Sequence, residues 1–109
     1  MAKYLLEAGY SAEGLRGAMK EGFVSRQQAV SKALGSLGGT LDALYFGIGG
    51  EVYVVCNFPD AISVASMAFA TASTGLVKVK GISPLLTPEE ADQAVKKNST
   101  YRAPGAKKK

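Results

Sequence analysis

Residues 40–58 read TLDALYFGIGGEVYVVCNF, and this stretch decides the fold. Two runs rich in aromatic and β-branched residues, 40–46 and 51–58, are separated only by Gly47-Ile48-Gly49-Gly50. Extended runs joined by so short a glycine-rich loop form a β-hairpin. Phe58-Pro59-Asp60 stops the second run, and Asp60 is placed to cap a following helix.

Working outward, residues 61–73 carry Ala61, Ile62, Ala65, Ala68, Phe69 and Ala72 on one helical face, with Gly75 as the stop. Residues 76–82 alternate Val77 and Val79 against Lys78 and Lys80, a fourth-strand pattern. Upstream, residues 3–10 alternate as a strand, and Ser11 caps a helix bearing Leu15, Ala18 and Met19. Gly14 and Gly17 each weaken that helix by about 1 kcal/mol relative to alanine, so packing must hold it. Gly22 breaks it. A second helical stretch from about Ser25 shows Ala29, Val30, Ala33, Leu34 and Leu37 as one apolar stripe ending at Gly38-Gly39. Thr87-Pro88-Glu89-Glu90 gives a capping box for a short C-terminal helix reaching about Lys97.

The order β-α-β-β-α-β predicts an α+β, ferredoxin-like domain with a four-stranded antiparallel sheet, strands one and three central, and an extra C-terminal helix. The domain should span residues 1–105, with 106–109 a disordered basic tail. Of the net charge of +4, Lys107, Lys108 and Lys109 supply three, leaving a body of ten basic and nine acidic side chains. That near-neutral body argues against nucleic acid as a partner. With no histidine and one cysteine, the chain cannot build a disulfide framework, a Cys/His zinc site or a Ser-His-Asp triad. No metal and no cofactor is expected. No apolar run is long enough for a membrane span and no signal sequence opens the chain, so a cytoplasmic protein is expected.

Both long helical segments of such a domain cover one face of the sheet. With Val52, Val54, Cys56 and Phe58 turned towards them, Tyr53, Val55 and Asn57 fall on the other face, joined by Leu5 and Glu7 and, from the second strand, Leu44 and Phe46. An apolar face of several hundred Å² calls for a partner, and a second copy of the chain is the expected one; the C-terminal helix is the alternative cover. Tyr53 and Asn57 are candidate ligand contacts, or contacts to a partner chain. Arg26 is a candidate anion contact, or a solvated side chain. Glu7 and Glu51 are candidate proton shuttles, with Tyr45 as a further candidate catalytic residue; Glu7 would otherwise pair with Lys78 or Lys80. Cys56, lacking a histidine to activate it, reads as a small buried hydrophobe.

The opening KYLLEAGYSAEGLRGAMKEG (3–22), Arg26 with AV at 29–30, Gly38-Gly39, LYF (44–46), FPD (58–60), STGLVKVK (73–80), LLTPEE (85–90) and YRAPG (101–105) together resemble the GYD-domain proteins. The resemblance runs in consistent order from residue 3 to residue 105. The Gly-Tyr-Asp stretch that names the family is here Gly49-Gly50-Glu51, so any role of that tyrosine does not carry over. The resemblance implies a relative of the dimeric α+β-barrel proteins, among which are haem enzymes, cofactor-free monooxygenases and isomerases. It implies no particular reaction, since chemistry does not follow from a fold. The expectation is a homo-oligomeric barrel protein that binds a small, largely apolar molecule without catalysis, using Tyr53, Asn57, Glu7 and Glu51 as polar contacts. The alternatives are a cofactor-independent isomerase or monooxygenase-like enzyme and a purely structural assembly.

Overall fold

The computed structural model describes residues 1–107; of the basic tail expected at 106–109, Lys108 and Lys109 lie outside the described residues. The chain runs β1 (Ala2–Tyr10), α1 (Ala12–Glu21), α2 (Phe23–Ser36), β2 (Thr40–Phe46), β3 (Glu51–Phe58), α3 (Ala61–Ser73), β4 (Val77–Leu85) and α4 (Pro88–Lys97). All neighbouring strands are antiparallel in the order β2-β3-β1-β4, the ferredoxin-like arrangement with β1 and β3 at the centre. β4 runs three residues beyond its expected end, through Pro84, which an edge strand tolerates because one of its sides needs no partner.

The local chemistry places these elements. Ser11 Oγ accepts the Gly14 N–H at 3.0 Å and opens α1. Gly22, at φ +100°, turns the chain between α1 and α2, a conformation costly for any residue with a Cβ. Asp60 Oδ1 accepts the Ser63 N–H at 2.7 Å and starts α3; these bonds hold its carboxyl below the usual range. Thr87 and Glu90 close a reciprocal capping box on α4. In the hairpin, Gly50 N–H donates to the Gly47 carbonyl and Gly50 takes φ +91°, a tight turn followed by a left-handed glycine.

The core lies between the sheet and α1–α3. Leu34, Cys56 and Phe58 are fully buried, with Val52, Val54 and Val64 around them and Tyr4 edge-on to Phe58. Two expectations about faces are corrected. Leu44 and Phe46 point into this core rather than onto the open face, because an irregularity in pairing between Leu41 and Ala43 shifts the β2 register. On α3, Val64, Met67, Ala68 and Thr71 face the sheet, while Ile62 and Phe69 are 82% and 74% exposed. That helix is apolar on every side, so its periodicity did not select a face.

The opposite face of the sheet carries Leu5, Val55, Tyr53 and Tyr45, with Tyr45 directly across from Tyr53 and Val55 across from Leu5. α4 does not cover it: its residues are exposed and it has no extensive packing against another element.

Candidate functional site

A cavity of about 460 Å³ separates the helices from the sheet. Its floor is Leu6 and Ala8 of β1, Val52 and Val54 of β3, and Val77 and Val79 of β4. Its walls are Gly14, Gly17 and Ala18 of α1, Ala29, Val30 and Ala33 of α2, and Val64, Met67 and Ala68 of α3. The space exists because the facing helices present mostly glycine and alanine, while the bulky Ile62 and Phe69 of α3 turn outward. Its size is that of pockets holding small organic molecules, roughly 300–1,000 Å³.

The polar lining residues are Glu7, Tyr10, Glu21, Arg26, Thr71 and Thr74. Tyr10, at the end of β1, stacks on Phe46 with centroids 6.5 Å apart, and Phe46 in turn meets Phe23 at 4.8 Å, which fixes the phenol in place. Arg26 on α2 donates from Nη1 to Glu21 Oε1 at 3.4 Å, and Glu21 Oε2 accepts from Ser25 Oγ at 2.8 Å. Partial burial works against the Arg26 charge, but the neighbouring Tyr10 hydroxyl and Glu21 carboxylate outweigh it and raise the guanidinium above its ordinary value. Thr71 and Thr74 on the α3 side donate their hydroxyls to the Met67 and Thr71 carbonyls.

Of the residues singled out in the sequence, Arg26 lines this cavity with its side chain half-buried. Glu7 borders it, but its Oε2 lies over its cross-strand neighbour Gly81 on the opposite face of the sheet. No ion pair forms between Glu7 and Lys78 or Lys80 among the described residues: the Lys80 side chain instead lies across Gly9, at an irregularity in β4 pairing that displaces it. Glu51 folds back on the hairpin, accepting the Gly49 N–H at 3.1 Å. Tyr45 and Tyr53 stand side by side on the open face.

Asn57, also on that face, is spent in a network. It donates to Thr40 Oγ1 at 3.0 Å and Asp42 Oδ1 at 3.1 Å and accepts from Lys3 Nζ at 3.3 Å. Lys3 also bonds Asp42, and that bond, with the one from Asn57, keeps the Asp42 carboxyl below the usual range. The structure thus divides the six candidates between the cavity, the hairpin and the open face. Tyr10 and Glu21, the polar neighbours of Arg26, carried no sequence signal: one is the last residue of a strand and the other the last of a helix. Among the described residues no group of three or more His, Cys, Asp or Glu side chains is placed to hold a metal ion.

Cys56, on β3, has its side chain in the core. Burial pushes its thiol up to about 11, with Asp42 adding to the effect and Lys3 opposing it. The thiol is therefore protonated and shielded, and iodoacetamide at mildly alkaline pH should leave the native protein unmodified. Alkylation should appear only on unfolding in guanidinium, measured by intact mass; rapid labelling of the native protein would show that β3 opens locally.

The fold and the cavity define a ferredoxin-like α+β domain with an apolar cleft between helices and sheet. The family model of the GYD domain matches residues 4–95, and the chain belongs to the GYD-domain family. No curated protein matches the chain. No solved structure matches it either. No helix among the described residues is long and apolar enough to cross a membrane.

Proposed function

We propose that this chain is a non-catalytic binding protein, assembled as a homodimer through the open face of its sheet, that takes up a small, largely apolar molecule. The supporting observation is the cavity of about 460 Å³, floored by valines and walled by alanines and glycines. Water in such a space finds few hydrogen-bonding partners, and an apolar guest that displaces it removes apolar surface from solvent. A dimer is supported by the open face, where Tyr45 is 71% exposed beside Tyr53, Leu5 and Val55. A cytoplasmic site of action goes with this proposal.

The enzyme alternative needs a carboxylate in reach of the bound molecule. Glu7 and Glu51 direct their carboxylates elsewhere, to the far face and to the hairpin, and Glu21, the carboxylate that lines the cavity, is held by Ser25 and Arg26, which favours binding over catalysis.

The test uses Nile red, a neutral polarity-sensitive dye, titrated into the wild-type protein and into Ala68→Trp, which fills the cavity from α3. The expected result is one dye per protomer in the wild type and at least about tenfold weaker binding in the variant, since an indole takes up much of the space the dye needs. Equal fluorescence gain in both proteins would place the dye on another surface and overturn the proposal.

A further inference from the structure

We infer that the molecule held in this cavity is an apolar acid, with its carboxylate on Tyr10 and Arg26 and its hydrocarbon body lying between α2, α3 and the sheet. This inference rests on the cavity being a binding site and adds the chemical class of its occupant.

Elimination carries the first part. The cavity is apolar except for a few side chains, and each can be followed to its partners. Thr71 and Thr74 have their hydroxyl protons committed to backbone carbonyls. The Glu7 carboxylate lies over Gly81 on the other face of the sheet. Among the described residues no lysine lines the cavity. The donors they leave for a guest are the Tyr10 hydroxyl and the Arg26 guanidinium, which stand beside each other.

Geometry supplies the second part. A guanidinium offers five N–H donors in a planar fork that matches a carboxylate. Arg26 lies beside the Tyr10 hydroxyl, and its one ion pair among the described residues is the 3.4 Å contact to Glu21, far from the short paired contacts of a bidentate ion pair. Glu21 is tied more closely to Ser25, at 2.8 Å, and its side chain is 40% exposed at the end of α1. It lines the cavity beside Arg26 and occupies the anion position loosely. A guest carboxylate arriving from within the cavity takes the remaining N–H groups and the Tyr10 hydroxyl, and Glu21 becomes its competitor.

That competition gives an unusual pair of signs. Calorimetric titrations with octanoate and with octanol, which differ only in the head group, should be run on the wild type, Arg26→Gln and Glu21→Gln. The wild type should bind octanoate at least about tenfold more tightly than octanol, the range expected for hydrogen bonds to a charged group. Arg26→Gln should weaken octanoate far more than octanol and so remove that preference, and a circular dichroism spectrum matching the wild type's should report an intact fold. Glu21→Gln should strengthen octanoate binding several-fold and change octanol binding far less. Octanol binding as tightly as octanoate, or octanoate affinity unaltered by Arg26→Gln, would overturn the acid assignment while leaving an apolar binding site. Failure of both probes to bind the wild type would remove the site itself, and with it this assignment.

Discussion

Replacing Gly14 with alanine should destabilise the domain by about 2–3 kcal/mol, the upper range for forcing extra volume into a packed site. Gly14 is buried in α1, and a Cβ there would come within 2.1 Å of the Leu76 carbonyl oxygen and 3.0 Å of its carbon. These are backbone atoms. The same carbonyl accepts the Ser11 N–H at 2.9 Å, so it cannot withdraw without breaking the junction between β1 and the start of β4. α1 must move away from the sheet instead, and with it the Ser11 cap and one wall of the cavity. The helix propensity gained by alanine, about 1 kcal/mol, is too small to offset this. For a domain of about 100 residues the loss corresponds to a fall in Tm of roughly 10–20 °C, read by calorimetry or circular dichroism. Gly17, one turn on, is the control: a Cβ there meets nothing within 4 Å. Gly17→Ala should raise Tm by several degrees through propensity alone. A neutral Gly14→Ala would mean that α1 does not rest on Leu76.

The second large effect concerns assembly. Val55 sits at the centre of the open face, across from Leu5 on one side and Ala43 on the other. If two copies pack through this face, Val55→Glu places a carboxylate in the interface twice, once from each subunit. Desolvating charges costs several kcal/mol apiece when nothing pairs with them, so dissociation should become easier by a factor of about a thousand or more. Sedimentation velocity at micromolar concentration should show a wild-type dimer and a variant monomer. The variant should keep its wild-type Tm after allowance for the lost association, because Val55 points away from the helical core. A wild-type protein that sediments as a monomer contradicts the dimer directly.

The sequence made the topology legible because most boundaries had their own chemical mark; the start of α2, at Phe23 rather than about Ser25, has no side-chain cap. Ser11, Asp60 and Thr87 cap helices where they were expected to, and the Gly47–Gly50 loop turns the hairpin. Faces were harder to read. In α3, Ile62 and Phe69 lie on a stripe as apolar as the one that Val64, Met67 and Ala68 use, and only the position of the sheet decides between them. In β2, strict alternation fails at Asp42, where the register shifts and turns Leu44 and Phe46 inward.

The polar lining of the cavity was the least legible part. Arg26 stood out as a lone cation near a helix start, but Tyr10 and Glu21 come to it through the turn at Gly22 and the end of β1, a purely tertiary juxtaposition. Glu51 and Asn57 looked free in the sequence because their partners, the Gly49 N–H and the Lys3–Asp42 pair, are set by a turn and by strand register.

The most direct test of the binding account is native mass spectrometry of protein purified without any denaturing step and incubated with a mixture of small apolar acids and alcohols. The account predicts a dimer whose mass exceeds that of two chains by one small molecule per subunit, with the added mass lost in Ala68→Trp. A bare mass in the wild type under these conditions, or the same added mass in the filled variant, would contradict it.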